Sequence, residues 1–271
     1  MCKLNIVRKV SKNRLALSGI DEREADYILS YELNIPITDI PFSTLDLSKK
    51  QYNSIIKKIK LRCRHMPITK IFKKAYFYGV EFVINEHVLS PRFDTELLVE
   101  KALEYIKPND RVLDLCTGSG CVAISIAKNV DAYVEASDIS KKALKVAKKN
   151  IKVHGAKVEA YQSNMFDKVQ GKFNVIVSNP PYIESEVVTT LENEVKEYDP
   201  LIALDGGVDG LDFYREIANK IKNYLLDDGI LLMEIGYNQG DAVREIFKSV
   251  ATNIEIVKDY NNNDRVVIVK I

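Results

Sequence analysis

The sequence predicts an α/β protein in which an open, mostly parallel sheet of seven strands follows a small N-terminal helical domain. Short apolar runs alternate with amphipathic helical stretches from residue 111 onward, whereas the first 75 residues show helical spacing without strand alternation. The length of 271 residues also exceeds the usual size of one domain. We therefore expect a helical domain at 1–75, a hairpin-like linker at 76–88 and a larger domain at 89–271.

The helical domain is predicted from two stretches in which apolar residues recur at helical intervals. Residues 21–33 read DEREADYILSYEL, and in residues 47–64 three isoleucines recur among lysines. Residues 76–84 (YFYGVEFVI) are instead rich in aromatic and β-branched residues, with a glycine near the centre. This change of composition predicts the hairpin-like linker.

The larger domain alternates strands with helices. The predicted strands are 111–115, 132–137, 157–161, 173–178, 229–235, 253–258 and 264–270, and the predicted helices are 120–129, 140–153, 209–225 and 238–249. This alternation implies helices on both faces of the sheet and right-handed crossovers between parallel strands. In such a sheet a ligand binds beyond the carboxyl ends of the strands, near the point where the strand order reverses.

Composition and charge narrow the class of protein. Hydrophobic residues make up 46% of the chain and charged residues 28%, as in ordinary globular proteins. The start, MCKLNIVRKVSKNR, lacks the apolar run of a secretory signal, and no stretch approaches the ~18–20 apolar residues of a membrane span. We therefore expect a cytoplasmic protein with no membrane partner. The four cysteines contain no C-x-x-C pair and the three histidines are scattered, so no metal is expected.

The net charge of +1 is unevenly distributed. Residues 1–75 contain 11 Lys and 5 Arg against 4 Asp and 3 Glu, a net charge of +9, which leaves −8 for the rest of the chain. Such a basic segment favours an acidic partner or RNA. A solvated, lysine-rich helical surface explains the same composition equally well.

Two motifs at predicted strand ends indicate a cofactor that contains adenosine. In DLCTGSGCVAISIA (114–127) an apolar strand runs into Gly118 and Gly120 before a helix, so a ligand can approach the backbone closely. Asp138 ends the next strand, at the spacing where a carboxylate can accept both ribose hydroxyls. A ligand-free turn, or a helix N-cap at Asp138 or Ser140, would explain either motif alone. Together the motifs do not separate NAD from S-adenosylmethionine.

The stretch SNPPYI (178–183), directly after the predicted strand FNVIV, separates these two cofactors. An enzyme that methylates a planar amino or amide nitrogen must accept hydrogen bonds from two N–H groups. The side-chain oxygen of Asn179 and the carbonyl of Pro180 could accept them, and Tyr182 could stack on the substrate group. Pro180 and Pro181 would hold these acceptors rigidly. Hydride transfer has no use for this corner, so we expect S-adenosylmethionine.

Three further segments complete a resemblance to the release factor glutamine methyltransferases, the protein-(glutamine) methyltransferases that modify peptide chain release factors. They are LSPRFDTELLVE (89–100), YDPLIALDGGVDGLDFYREI (198–217) and MEIGYNQ (233–239). The resemblance implies the S-adenosylmethionine-dependent methyltransferase fold, with a Rossmann-like sheet, and a helical domain that helps to recognise the release factor. It implies methylation of the glutamine in the Gly-Gly-Gln motif of class 1 release factors, in translation termination. We expect a monomer without a stable nucleic-acid complex.

The resemblance also implies roles for individual residues. The cofactor-binding residues would be Cys116, Thr117, Gly118, Ser119 and Gly120 around the methionine part, Asp138 at the ribose, Met165 at the adenine, and Asn179. The substrate-binding residues would be Asn179, Pro180, Pro181 and Tyr182, of which Asn179, Pro180 and Tyr182 would be catalytic, with no metal. Cys116 stands where many relatives have glycine, a modest departure because its side chain can point away from the ligand. Phe93 replaces a common proline, and 183–208 is expected to form part of a substrate channel.

Two alternatives remain at this point. NPPY also occurs in nucleic-acid adenine methyltransferases, but these flip their target base and usually carry a basic target-recognition region. The part of the chain after residue 75 has a net charge of −8 and leaves no room for such a region. A cofactor-binding protein without catalysis is the other alternative, which the complete NPPY motif disfavours.

Overall fold

The chain folds into two compact units. The computed structural model describes residues 2–271. One unit comprises the chain up to Lys73 together with Glu192–Tyr198, and the other comprises Lys74–Leu191 and Asp199–Ile271. The predicted boundary at residue 75 lies close to the first of these divisions. The return of the chain to the helical unit at 192–198 was not predicted, because all of 183–208 was expected to belong to a substrate channel.

The helical unit consists of short helices around an apolar core. Its elements are β1 (Cys2–Lys3), α1 (Leu4–Leu17), β2 (Asp46–Leu47), α2 (Glu24–Leu33), α3 (Lys49–Arg62) and α4 (Ile68–Phe72). Ser48 and Gln51 form a capping box that begins α3. Ile55 and Ile59, one helical turn apart, are fully buried, so the isoleucine spacing seen in the sequence does mark the core side of α3.

Arg62 attaches the returning segment to the helical unit. Its side chain is only 4% exposed and pairs with Glu24 of α2 and with Glu194, which lies in a short helix at Asn193–Lys196. The Tyr198 hydroxyl donates a hydrogen bond to the carbonyl of Arg64. A buried guanidinium needs paired carboxylates, so this ion-pair cluster specifies where residues 192–198 lie.

The second unit begins with an antiparallel hairpin and continues as the predicted α/β domain. The hairpin strands are β3 (Lys74–Phe77) and β4 (Val80–Val83), and both turn residues, Tyr78 and Gly79, have positive φ angles, as a two-residue hairpin turn requires. Phe77 and Phe82 from its two strands are buried in the main core of this unit. The hairpin therefore packs against the large domain as part of it, and does not act only as a linker.

Within residues 2–271, a seven-stranded sheet forms the centre of the second unit. Its elements, with the surrounding helices, are α5 (Glu96–Tyr105), β5 (Arg111–Leu115), α6 (Cys121–Asn129), β6 (Tyr133–Asp138), α7 (Lys141–His154), β7 (Val158–Gln162), β8 (Phe173–Ser178), α8 (Ser185–Val188), α9 (Asp212–Lys220), β9 (Leu225–Glu234), α10 (Gly240–Phe247), β10 (Asn253–Lys258) and β11 (Asp264–Lys270). The strand order is β10-β11-β9-β8-β5-β6-β7. β11 runs antiparallel to both of its neighbours, and the other pairs are parallel.

The residue patterns explain these elements. Strands β5 and β8 lie in the middle of the sheet and are buried nearly throughout, which is why RVLDL and FNVIVS read as almost continuous apolar runs. Helix α9 begins at Asp212 and ends at Lys220, where the chain tightens into a 3₁₀ turn at Ile221–Asn223. The predicted helix at 209–225 was therefore too long at both ends. Within residues 2–271, no helix is long and apolar enough to cross a membrane.

Candidate functional site

The candidate site lies where the strand order of the sheet reverses. From β5 the chain continues outward to β6 and β7, whereas β8 and β9 lie on the other side of β5. The loops that follow β5, β6 and β8 meet at this edge and enclose a cavity of about 160 Å³. A crevice at such a reversal is where open α/β sheets bind ligands.

Most of the residues singled out by sequence line this cavity. They are Cys116, Thr117, Gly118, Ser119, Asp138, Met165, Asn179 and Pro181. Gly120, Pro180 and Tyr182 are not among the lining residues. Gly120 instead precedes α6 with a φ of +81°, where an added Cβ would lie 3.3 Å from Ala147 Cβ. Its role is close helix packing.

The loop after β5 has an unusual backbone conformation. Cys116, Gly118 and Gly120 have φ angles of 61°, 54° and 81°, all in the left-handed region that favours glycine. A Cβ at Gly118 would have no atom within 4 Å, so this peptide faces open space in the cavity. Cys116 adopts the conformation that suits glycine, and its Sγ lies 3.8 Å from Met165 Sδ on the cavity wall. Cys116 and Met165, which both line the cavity, are therefore in contact through their sulfur atoms.

Asp114, which the sequence analysis did not single out, supports this loop. Its Oδ2 accepts hydrogen bonds from the Thr117 hydroxyl at 2.6 Å and from the Ala123 amide at 3.2 Å. Burial raises the pKa of Asp114 to about 7, although both hydrogen bonds oppose that shift. Asp114 therefore joins the end of β5, the loop and the first turn of α6.

We expect Asp114→Asn to change how stability depends on pH, because it removes the ionisable carboxyl group. Asparagine keeps an acceptor for the Thr117 hydroxyl, so this contact is preserved. The folded-state pKa of about 7 lies above the ordinary value of 3.8, so the parent has stability below pH 3.8 that it loses as pH rises toward 7. Over this interval the unfolding free energy of the variant should rise relative to that of the parent, by up to about 4 kcal/mol. Denaturant titrations across the interval measure this, and a difference independent of pH would contradict it.

Asp138 holds the glycine loop from the neighbouring strand. Its Oδ2 accepts a hydrogen bond from the Gly118 amide at 2.9 Å, and its Oδ1 accepts one from the Ser140 amide at 2.8 Å. Burial raises the pKa of Asp138, and these two amides oppose the shift. The N-cap of α7 is Ser140, whose hydroxyl accepts from the Ala143 amide. The carboxylate of Asp138 is therefore not needed to cap the helix.

The SNPPYI corner begins as β8 ends. The Ser178 hydroxyl donates to the Leu115 carbonyl at 2.9 Å, which joins the ends of β8 and β5. Asn179 Nδ2 donates to the Thr95 hydroxyl oxygen at 3.1 Å, while its Oδ1 has no hydrogen bond among residues 2–271. Both prolines are buried. The amide of Asn179 thus presents a free acceptor at the cavity.

Tyr182 is held by a carboxylate that the sequence analysis missed. Its hydroxyl donates to Glu234 Oε1 at 3.1 Å, and burial raises the pKa of Tyr182, with the charge of Glu234 adding to the shift. Glu234 is the last residue of β9 and lies in the MEIGYNQ segment. The predicted stacking of Tyr182 on the substrate stays a prediction, since its ring is not part of the cavity wall.

The glycine-rich segment at 206–210 packs directly against this corner. The Gln239 side chain donates to the carbonyls of Tyr182 and Gly210, at 2.9 Å and 3.3 Å. A Cβ at Gly206 would lie 2.7 Å from Tyr182 Cα, and one at Gly210 would lie 2.4 Å from the Tyr182 carbonyl oxygen. Real Cβ contacts are longer than this, so glycine is required by close approach of the two backbones. This contact explains why ALDGGVDGL accompanies NPPY.

Gly210→Ala is expected to displace the NPPY backbone and so to lower the activity of the site. It should destabilise the protein by about 1–3 kcal/mol more than Gly79→Ala, the scale of overpacking a well-packed site. Gly79 is a matched control because its φ of +76° is similar to the +71° of Gly210, yet its Cβ would meet nothing within 4 Å. Thermal unfolding and turnover of both variants test this. Equal losses in the two variants would show that only backbone conformation matters.

The PRFDTE segment also contributes to the lining of the cavity. Arg92 pairs with Asp199 at 2.8 Å, and the Asp199 side chain is only 1% exposed. Thr95 is buried and lines the cavity, and its hydroxyl oxygen accepts the hydrogen bond from Asn179. The Asp199 carboxylate therefore holds Arg92 in position, and Asn179 holds Thr95. No group of three or more potential ligands that could hold a metal occurs among the residues described.

Comparisons with known proteins agree with this geometry. Residues 91–196 match the family model described as Methyltransferase small domain. A methyltransferase from Pyrococcus furiosus has the same fold, with a TM-score of 0.57 at 16% identity, covering 82% of this chain and 98% of that chain. The fold is that of the S-adenosylmethionine-dependent methyltransferases, with the cavity at its strand reversal.

Sequence relatives identify the family within that class. The chain is 38% identical over 256 residues to a release factor glutamine methyltransferase of Thermodesulfovibrio yellowstonii, covering 92% of each chain. It is 40% identical over 251 residues to another of Clostridium acetobutylicum, covering 89% of this chain and 87% of that one. The chain belongs to the release factor glutamine methyltransferase family. The predicted fold class, family, enzyme class and cofactor are confirmed.

Proposed function

We propose that this protein transfers a methyl group from S-adenosylmethionine to the side-chain amide nitrogen of the glutamine in the Gly-Gly-Gln motif of class 1 peptide chain release factors. One observation carries the proposal beyond family membership. The Nδ2 of Asn179 is engaged by Thr95, which leaves its Oδ1 as an acceptor at the cavity. An amide substrate has two N–H groups to anchor, so an acceptor is the group that such a site needs.

The cavity residues suit the cofactor. The open face of the Gly118 peptide leaves room for the methionine part beside Cys116, Thr117 and Ser119. The Asp138 carboxylate, already held by two backbone amides, would accept the ribose hydroxyls. The Met165 side chain would contact the adenine through its polarisable sulfur. These roles are carried by residues that line one cavity.

The NPPY corner would position the substrate glutamine. The Asn179 side-chain oxygen and the Pro180 carbonyl would each accept one amide N–H. Buried Pro180 and Pro181 restrict the backbone, and Tyr182 is fixed at its hydroxyl by Glu234. The acceptors are therefore held in place before the substrate arrives, which lowers the entropic cost of alignment.

The chemistry asks little of the protein beyond alignment. The lone pair of an amide nitrogen is delocalised, and two accepted hydrogen bonds raise its electron density and fix its direction. The cofactor, when bound, supplies an electrophilic methyl group on a positively charged sulfur. No strong general base is assigned, since proton loss can follow transfer. Preorganised polar groups of this kind can provide much of a rate enhancement.

The helical unit would recognise the release factor. Residues 1–75 carry a net charge of +9, which suits an acidic surface on a protein partner. The protein would act as a monomer in the cytoplasm, without a stable nucleic-acid complex. Methylation of nucleic-acid adenine is the competing function, and it would need a basic surface next to the cavity.

Mass spectrometry tests the proposal directly. Recombinant release factor is incubated with enzyme and S-adenosylmethionine, and the peptide that contains the Gly-Gly-Gln motif is sequenced. One added methyl group on the glutamine is expected, and none on a factor whose motif glutamine is replaced by asparagine. Methylation of adenine-containing oligonucleotides with an unmodified factor would instead favour the competing function.

A further inference from the structure

Asn150 is a buried side chain on α7 whose amide joins two other parts of the second unit. It is 0% exposed. Its Oδ1 accepts a hydrogen bond from the Val83 amide, and its Nδ2 donates to the carbonyls of Val83 and Ser119, each at 2.9 Å. A side-chain amide has two N–H groups to donate, and here both are used. The side chain therefore links the hairpin strand β4 to the loop after β5.

The backbone of Val83 decides how the Asn150 amide is turned. Val83 offers one donor and one acceptor to the same side chain. In the reversed orientation Nδ2 would face the Val83 N–H, and Oδ1 would face two carbonyl oxygens. Two donors or two acceptors that face each other in a buried place leave both groups without hydrogen bonds, which costs free energy. The hairpin therefore selects the orientation that directs Nδ2 at Ser119.

The carbonyl that Asn150 binds belongs to the peptide bond between Ser119 and Gly120. The N–H of the same peptide, on Gly120, donates to the Thr117 carbonyl at 2.8 Å. Because a peptide bond is planar, hydrogen bonds at both of its ends fix its orientation. Ser119 lines the cavity and is 2% exposed, so the peptide that Asn150 holds carries a cavity residue.

Helix α7 contacts the same loop at a second point. A Cβ at Gly120 would lie 3.3 Å from Ala147 Cβ, and Ala147 precedes Asn150 by three residues. Residues three apart lie on one face of a helix. The contact at Ala147 brings the loop close to α7, and the hydrogen bond from Asn150 sets the direction of its peptide. The helix therefore controls both the distance and the orientation of the loop.

We propose that Asn150 is a positioning residue for the cofactor. It is not among the residues that line the cavity, so it would act through the Ser119–Gly120 peptide. By holding this peptide, it keeps the loop backbone in the shape that receives the methionine part of S-adenosylmethionine. The inference rests on the proposed placement of that part beside Gly118 and Ser119. It also gives the hairpin a part in cofactor binding, because β4 orients the Asn150 amide.

Two ligands separate a local effect on this loop from a general loss of structure. S-adenosylhomocysteine contains the amino-acid part of the cofactor, whereas methylthioadenosine lacks it. Asn150→Ala should weaken the binding of S-adenosylhomocysteine by roughly five- to fiftyfold, the scale for a buried polar group left without its partner. The binding of methylthioadenosine should change by less than about twofold, the limit within which independent sites behave additively. Titration calorimetry measures both affinities.

Val146→Ala is the matched control on the same helix. Val146 is 5% exposed and packs with Ala75, Ile84 and Val88, so its truncation also lowers stability. It takes no part in the hydrogen bonds of Asn150, so the affinity for both ligands should stay near the parental value. Parental affinity in Asn150→Ala, equal losses for its two ligands, or an equal loss of S-adenosylhomocysteine affinity in Val146→Ala would overturn the inference.

Turnover provides a second readout. Asn150→Ala should raise the KM for S-adenosylmethionine by a factor similar to the loss of affinity, because the loop is less well held before the cofactor binds. With saturating cofactor, kcat should change by less than about threefold, since the NPPY corner is untouched. A fall in kcat at an unchanged KM would assign the effect of Asn150 to the chemical step and contradict the proposal.

A measurement on the parent protein, which needs no variant to fold, completes the test. In ¹⁵N-labelled protein, S-adenosylhomocysteine should shift the backbone amide resonances of Gly118 and Ser119 more than methylthioadenosine does. It should also slow the exchange of the Asn150 side-chain NH₂ with water, since coupling between two sites is reciprocal. If the two backbone amides do not respond, the proposed placement of the cofactor fails and this inference fails with it, whatever the release factor assay shows. If they respond while the NH₂ exchange is unchanged, the placement stands and the role of Asn150 is refuted.

Discussion

Asn179→Ala is expected to slow methyl transfer by about 100- to 1000-fold, which corresponds to about 2.7–4 kcal/mol of transition-state stabilisation. The reason is the loss of the acceptor that Asn179 presents at the cavity while Thr95 holds its other end. The measurement is single-turnover transfer to intact release factor with saturating cofactor. Transfer at the parental rate would mean that NPPY is only a rigid turn.

Asn179→Asp is the matched control for this change. It keeps an acceptor oxygen but removes the donor that binds Thr95 and adds a negative charge, so partial activity should survive. Because Asn179 is half-buried at the cavity edge, neither variant should change the melting temperature greatly. If the aspartate variant is as slow as the alanine variant, the orientation of the amide matters more than the presence of an acceptor.

Asp138→Ala should weaken S-adenosylmethionine binding by about 1.5–3 kcal/mol, roughly 10- to 150-fold, the scale for losing a charge-assisted hydrogen bond in a buried site. Two effects contribute, since the carboxylate would bind the ribose and already holds the amides of Gly118 and Ser140. Titration calorimetry of the variant and the parent measures the loss.

Ser140→Ala separates these effects from damage to α7. It removes the side-chain cap on the Ala143 amide and should reduce stability by about 1 kcal/mol. It leaves the Asp138 carboxylate in place, so the loss of cofactor affinity should be much smaller than in Asp138→Ala. Unchanged affinity in Asp138→Ala would remove this carboxylate from the ribose site.

The strand pattern could be predicted because it is local. Residues 111–115 and 173–178 form strands β5 and β8 with the expected limits, since each is a short, mostly apolar run. The cavity at their carboxyl ends also follows from topology alone, once β and α elements alternate. Asp138 and Asn179 could therefore be placed together before any contact was known.

The contacts that orient these residues could not be predicted in this way. Asn179 meets Thr95 across 84 residues of chain, and Tyr182 meets Glu234 across 52. No periodicity links such partners. In the sequence alone, Thr95 fits equally well as part of the start of a helix. Cys116 is a similar case, because its left-handed conformation depends on the loop and not on its own preference. The signal for Glu234 was its position in MEIGYNQ, which the resemblance alone had marked.

The excursion at Glu192–Tyr198 affects how this chain can be inherited and recombined. The backbone passes between the two units after Lys73, again after Leu191 and once more after Tyr198. A crossover in the gene near residue 73 would therefore exchange most of the helical unit but leave its last seven residues behind. Glu194 would then meet a foreign surface without Arg62, its present ion-pair partner. Selection should keep the two segments linked, so substitutions at Arg62 and Glu194 should co-vary among relatives.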